Sequence, residues 1–198
     1  MAPIIFLDLD DVLAISEEFT SYQVTTLFKQ GNRDSWPELW KGLFFAEGKE
    51  NLAKLHGEFS PQYVISSSWA TYLSREQMKE LFSRCGLEFV AKNLHKHWTT
   101  PKGEGPSRRN EIENWVKKHL QDNQPMLVLD DKSSGWSLPF SDLTEKNQIV
   151  LCEEWVGFVA NKLLEARIYL HDQRWYTESA SLSQLAEIAP QTTLGPRP

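Results

Sequence analysis

Two short apolar runs in the chain end in paired carboxylates. Ile4-Ile5-Phe6-Leu7 leads into Asp8-Leu9-Asp10-Asp11, and Met126-Leu127-Val128-Leu129 leads into Asp130-Asp131. Carboxylates two residues apart at the end of a strand project to the same side, and at a few ångströms their repulsion raises one pKa unless a cation intervenes. A hard divalent cation with oxygen ligands, Mg2+ above all, meets that need and keeps waters that a phosphate can replace. Either run alone is compatible with a polar turn after a buried strand. Two runs delivering acids to one sheet edge point to a metal centre, because several stacked carboxylates are hard to keep ionised without a counter-charge.

The complementary groups are also present. Ser66-Ser67-Ser68 closes a third apolar run with hydroxyls and backbone amides that can hold an anion. Lys102, Arg108 and Arg109 fall just before or inside the first turn of a predicted helix. Cations there oppose the helix dipole, a small cost that an anion nearby removes. His95 and His97 lie in a polar stretch and are expected to be exposed rather than chelating.

What must position these groups is a set of apolar runs separated by segments of helical period. Strands are predicted over Pro3–Leu9, Gln62–Ser67, Leu87–Ala91, Met126–Leu129 and Gln148–Leu151, and helices over Asn51–Glu58, Leu73–Arg84, Ser107–Leu120 and Phe158–Ala166. In the third helix Ile112, Trp115, Val116 and Leu120 recur at helical spacing, with Ser107 placed to cap. Alternation of this kind predicts an α/β fold: a Rossmann-like, mostly parallel sheet of about five strands with flanking helices. Ligands of such sheets sit beyond the carboxyl ends of the strands, where the acids and serines stand.

Composition narrows the class. The chain has 198 residues, 40% hydrophobic and 24% charged, enough for one domain with an elaboration and a core that needs no staples. A net charge of -6 disfavours a general nucleic-acid coat, yet residues 48–118 carry twelve basic against eight acidic side chains. Cys85 and Cys152 form no CxxC, and no basic n-region or long apolar stretch opens the chain, so a cytoplasmic protein without a membrane span is expected. Neither GxGxxG nor GxxxxGK[ST] follows any strand, which disfavours dinucleotide-dependent dehydrogenases and P-loop kinases.

An apolar strand ending in DxDxV, a serine ending the next strand, a basic residue on a later helix and DD after a later strand together resemble the haloacid dehalogenase (HAD) superfamily of aspartate-nucleophile phosphatases. Ile65-Ser-Ser-Ser-Trp69, Thr100-Pro101, Arg108-Arg-Asn-Glu-Ile112 with Trp115, Leu129-Asp-Asp131 and Gly157-Phe158 are similar to the HAD-like domain of Swiss Army Knife RNA repair proteins. The resemblance implies Asp8 as nucleophile and metal ligand. Asp10 would be the acid and then the base, and a metal ligand through its carbonyl; Ser66, with Ser67, would hold phosphoryl oxygens. Arg108 would pair with nucleophile and phosphate, with Arg109 its rival and Lys102 a further phosphate contact. Asp130 would bind Mg2+, with Asp131 as second ligand or as an acceptor behind it. Asp11 stands where many relatives have glycine, and Ala70 where the RNA-repair group has arginine.

The resemblance covers residues 4 to about 160, so residues 1–166 are expected to form the catalytic domain. Residues 167–190 would be an extension packed on it and 191–198 a flexible tail. Residues 14–47 form an aromatic-rich insert with Phe19, Tyr22, Phe28, Trp36, Trp40, Phe44 and Phe45, either a flap over the site or a helical pair packing its own rings. The implied activity is a Mg2+-dependent phosphomonoester hydrolase. Its partner would be a phosphorylated small molecule, a nucleotide or a nucleic-acid end, and seven Lys/Arg against three Glu between Lys92 and Lys118 keep the last in play. A phosphotransferase on the same scaffold, or a silent phosphate- or nucleic-acid-binding protein, are the alternatives.

Overall fold

The first strand, β1 (Ile4–Leu7), is fully buried and alternates its side chains between two cores. Ile5 and Leu7 enter the larger one; Ile4 and Phe6 enter the smaller. That two-sided burial makes β1 the centre of the sheet, a position only a continuous apolar run can fill. The computed structural model describes residues 1–103, 107–145 and 147–173. Around β1 lie β2 (Gln62–Ile65), β3 (Leu94–Thr99), β4 (Met126–Asp131) and β5 (Ile149–Cys152). The order is β3-β2-β1-β4-β5 and every pairing is parallel.

One face is covered by α1 (Ser21–Gln30), α2 (Pro37–Gly42), α3 (Ala46–Phe59), α4 (Arg75–Arg84), α5 (Glu88–Lys92) and a helix over 160–173, here α8. The other is covered by α6 (Arg108–His119), a 3-10 turn at Leu138–Phe140 and the short α7 (Asp142–Glu145). Ser107 caps α6 by accepting from the Asn110 amide, as its position before the apolar period predicts. Among the described residues no helix is long and apolar enough to cross a membrane.

The expected strand at Leu87–Ala91 is a correction: those residues form the end of a turn and α5, and the strand is Leu94–Thr99. Leu87, Val90, Ala91 and Leu94 are all buried, and their spacing is helical, which a short apolar run conceals. The true strand, with the sequence LHKHWT, reads as polar because it is the sheet's edge. His95 is likewise corrected. It is buried, its ring 5.1 Å from that of Trp115 in an edge-on contact.

The insert packs into the main core. Phe28, Trp40 and Phe44 are buried there, with Phe28 edge-on to Trp40 at 6.0 Å and Phe44 against Trp69 and Phe82. Phe158, expected to open the last helix, instead docks the loop after β1: its amide donates to Val12 O, and Asn51 Nδ2 donates to its carbonyl. The helix α8 runs without a break across residue 166; Leu170 is buried, and Arg167 and His171 both bond Glu58. The rest of the expected extension and the expected tail, 174–198, lie outside the described residues.

Trp115 holds the smaller core to the sheet. Its ring meets Phe6 edge-on at 5.1 Å and its indole N–H donates to the His97 carbonyl at 2.9 Å. Trp115→Ala should therefore cost about 3–5 kcal/mol of unfolding free energy. Trp115→Phe, which keeps most of the packing and loses the hydrogen bond, should cost about 1–3 kcal/mol. Urea titration followed by circular dichroism measures both, and equal costs would contradict the assigned role of the ring.

Candidate active site

Register brings the chemistry together. Leu7 pairs with Ile65 on one side and with Leu129 on the other, so the next residues, Asp8, Ser66 and Asp130, end three adjacent parallel strands at one level. Backbone bonds continue the register past the strand ends, from Asp8 N to Leu129 O at 3.0 Å and from Ser66 N to Leu7 O at 3.0 Å. Between β1 and β4 the chain order reverses direction across the sheet, the place where parallel sheets open a crevice.

The chain then turns tightly. Leu13 N and Ala14 N both donate to Leu9 O, and Asp11 adopts a left-handed conformation with φ 53°. Glycine is the usual occupant of that region, and aspartate is among the few other residues that tolerate it. Here Asp11 also accepts a hydrogen bond from Trp155 N at 2.8 Å, which ties this turn to the loop after β5. Asp11 thus holds the left-handed position of this turn with its carboxylate committed to a backbone amide.

Asp8, Asp130 and Asp131 are all buried, and each offers an oxygen within 4.8 Å of the others. Arg108 is their one close cation among the described residues. Its Nη2 donates to Asp8 Oδ1 at 3.2 Å and its Nε lies 3.1 Å from Asp130 Oδ2. One guanidinium does not balance three carboxylates. Asp8 Oδ2 and Asp131 Oδ2 are buried and accept no hydrogen bond among the described residues, while Asp131 Oδ1 accepts from Ser133 N and Ser134 N. Burial pushes Asp8 up to about 7, against the pull of Arg108 and with help from Asp10 and Asp131. Burial, then the Asp8 charge, also raises Asp130 well above the carboxylate range. Unpaired oxygens converging in a buried acidic pocket fit a hard divalent cation.

The anion side is equally specific. Ser66 Oγ is buried without a hydrogen-bond partner among the described residues, and the Ser67 hydroxyl, which accepts from Trp69 N, opposes the rise of the Asp8 pKa. Asp10, half-buried, accepts from the Trp69 indole N–H at 2.8 Å; burial raises its pKa and that bond opposes the rise. A cleft of about 370 Å3 opens beside Arg108, bounded by Ser68, Lys102, Glu111 and the exposed Trp136. Lys102 reaches this cleft and is held by Glu111 at 2.7 Å. Arg109 faces elsewhere, with Nε on Glu113 at 2.7 Å and Nη1 on the Phe140 carbonyl. One step along a helix turns a side chain by about 100°, which separates the two arginines.

Three residues of this arrangement escaped the sequence reading as functional groups: Trp69, Glu111 and Trp136. Trp69 sat inside the Ser-Ser-Ser-Trp motif but gave no sign that its N–H would meet Asp10, 59 residues earlier. Glu111 stands in the first turn of α6, and nothing in the spacing marks its contact with Lys102, nine residues earlier. For Trp136 the only signal was a tryptophan close after Asp130-Asp131.

The family described as "HAD domain in Swiss Army Knife RNA repair proteins" matches residues 4–163. Comparison with curated proteins and with solved structures gave no match.

The buried acids make a linked prediction for the metal-free protein. The unfolded chain releases the Asp8 proton near pH 3.8, whereas the folded chain holds it to about pH 7. The folded state therefore binds more protons in that window, and metal-free stability falls as pH rises through it. A divalent cation that takes the proton's place cancels the loss. The melting-temperature gap between millimolar Mg2+ and chelator should be small at low pH and widen towards neutrality to on the order of 5–10 °C. A gap independent of pH would show that the cation is not bound by these acids.

Proposed function

The chain belongs to the HAD domain family of Swiss Army Knife RNA repair proteins, and from that membership and the site geometry we propose a Mg2+-dependent phosphomonoester hydrolase working through an aspartyl-phosphate, with a nucleotide or a nucleic-acid end as substrate. The observation that carries the proposal is the unpaired Oδ2 of Asp8. It is buried beside a guanidinium that also contacts Asp130. Residues 1–166 are read as the catalytic unit with 14–47 as its insert.

In this reading Asp8 Oδ2 attacks phosphorus in line while the ester oxygen departs on the opposite side. Asp10, its pKa raised by burial, gives its proton to that oxygen, so the alcohol leaves neutral. Asp10 then takes a proton from water as the water oxygen attacks the aspartyl-phosphate, releasing phosphate and restoring the Asp8 carboxylate. Arg108 and the hydroxyls of Ser66 and Ser67 hold the equatorial oxygens where negative charge spreads. Mg2+ held by the side chains of Asp8, Asp130 and Asp131 and the carbonyl of Asp10 would offset carboxylate charge and polarise the phosphoryl group. Trp69 fixes the Asp10 carboxylate, so the proton donor keeps one orientation.

Complete carboxylates at Asp8, Asp10 and Asp130 count against a silent binding protein. Transfer to an acceptor other than water would use the same first step, and product analysis separates the two.

Turnover of a generic aryl phosphate tests the assignment. Asp8→Asn removes the nucleophile and should lower kcat by at least on the order of 10³-fold with the melting transition retained. Arg108→Lys keeps a charge but loses the fork and should cost about 10²-fold, whereas Arg109→Ala should stay within about threefold. Activity surviving in Asp8→Asn sinks the aspartyl-phosphate reading.

A further inference from the structure

The edge strand β3 is irregular in a way the active site does not require. Tyr63 faces Leu94, but Ile65 faces Thr99, so the residues between are pushed out of the ladder as a bulge. Bulges at sheet edges re-aim side chains and are features rather than accidents. This one is pinned by the Trp115 indole on the His97 carbonyl and by His97 N on the His95 ring at 3.1 Å.

The bulge forms one wall of a groove of about 460 Å3, within the range of ligand sites. Lys96, His97 and Trp98 come from the bulge, Lys118 and His119 from the last turn of α6, and Lys102 from the far end. Among the described residues no carboxylate lines it. Lys96, His97 and Lys118 are exposed, and the rings of His97 and His119 stack at 3.9 Å with 14° between planes. Basic residues in the last turn of a helix complement its dipole, which accounts for Lys118 and His119. It does not account for Lys96, which the bulge delivers; Trp98, half-buried, packs one side against the main core and lines the groove with the rest. Lys102 also lines the cleft beside Arg108, so groove and cleft share a wall.

We propose that this groove is a second binding site, for single-stranded nucleic acid, which tracks the strand whose phosphorylated end enters the cleft. The lysines meet successive phosphodiesters, and Trp98 with the His97–His119 stack offers flat faces to bases. An acidic peptide would satisfy the lysines but leave those faces unused. The proposal rests on the phosphatase reading for the fate of the end, though not for the binding itself.

The test uses the full chain carrying Asp8→Asn and fluorescent single-stranded octanucleotides, RNA and DNA, with a 3′- or 5′-terminal phosphate. Anisotropy titrations should show binding that weakens with salt. Adding Lys96→Ala and Lys118→Ala should weaken it about tenfold or more and flatten the log–log salt dependence by about 1.4, the counterions of two contacts. On the wild-type background the same pair should lower, at least tenfold, the ratio of kcat/KM on the octanucleotide to that on an aryl phosphate. Comparing RNA with DNA and the two ends identifies the natural strand. Octanucleotide binding indifferent to the two lysines, or an acidic peptide bound equally well in its place, would overturn the groove. The two readings fail separately. Lysine-dependent binding without hydrolysis of any phosphate defeats the phosphatase alone; aryl phosphate turnover with lysine-independent binding defeats the groove alone.

Discussion

Among the described residues, three buried carboxylates share one end of a parallel sheet with a single guanidinium, and most of the molecule can be understood as what keeps that imbalance in place. Left to itself such a cluster would take up protons or water. It cannot spread, because Asp8 and Asp130 are fixed by the β1–β4 ladder and Asp131 is held through one oxygen by two backbone amides. It cannot rehydrate freely, because β1 and β4 are buried on both faces by two separate cores. The arginine arrives from α6, whose start is set by the Ser107 cap and whose apolar face is anchored by Ile112 and Trp115. Electrostatic frustration at the site is thus held by hydrophobic burial elsewhere, since such an arrangement persists only where the surrounding structure over-determines it.

How much of this was legible in the sequence follows from which signals are local. Asp8 and Asp130 could be read because each ends an unbroken apolar run, and a parallel sheet aligns such ends. Arg108 could not be separated from Arg109, since the choice depends on the phase of a helix, and the partners that decide it, Asp8 and the Phe140 carbonyl, are far along the chain. The stretch 87–99 misled because an edge strand half in water looks polar and a short buried helix looks like a strand. His95 reads as a solvent residue for the same reason, yet it is buried. The aromatic insert was visible as composition, but only packing shows that Phe28, Trp40 and Phe44 belong to the main core.

Departures from the family pattern become intelligible at the same level. Asp11 keeps the left-handed turn that glycine would give and spends its carboxylate on Trp155 N, so the loops after β1 and β5 are joined by a side chain. Gly157 and Phe158 complete that junction, with Phe158 N on Val12 O and φ 77° at Gly157. The loop that bears Asp10 is therefore braced from the far edge of the sheet. Placement of Asp10 depends on residues more than 140 positions away.

The bulge in β3 also shapes the open edge of the sheet. An open parallel sheet ends in a row of unpaired amides and carbonyls that can template another strand. Here that edge is kinked out of register, carries the exposed Lys96, and has the His97 carbonyl already engaged by an indole. A second chain finds neither a straight ladder nor a neutral surface on which to pair. An edge broken in this way is a poorer template for a further strand than a regular strand in the same place.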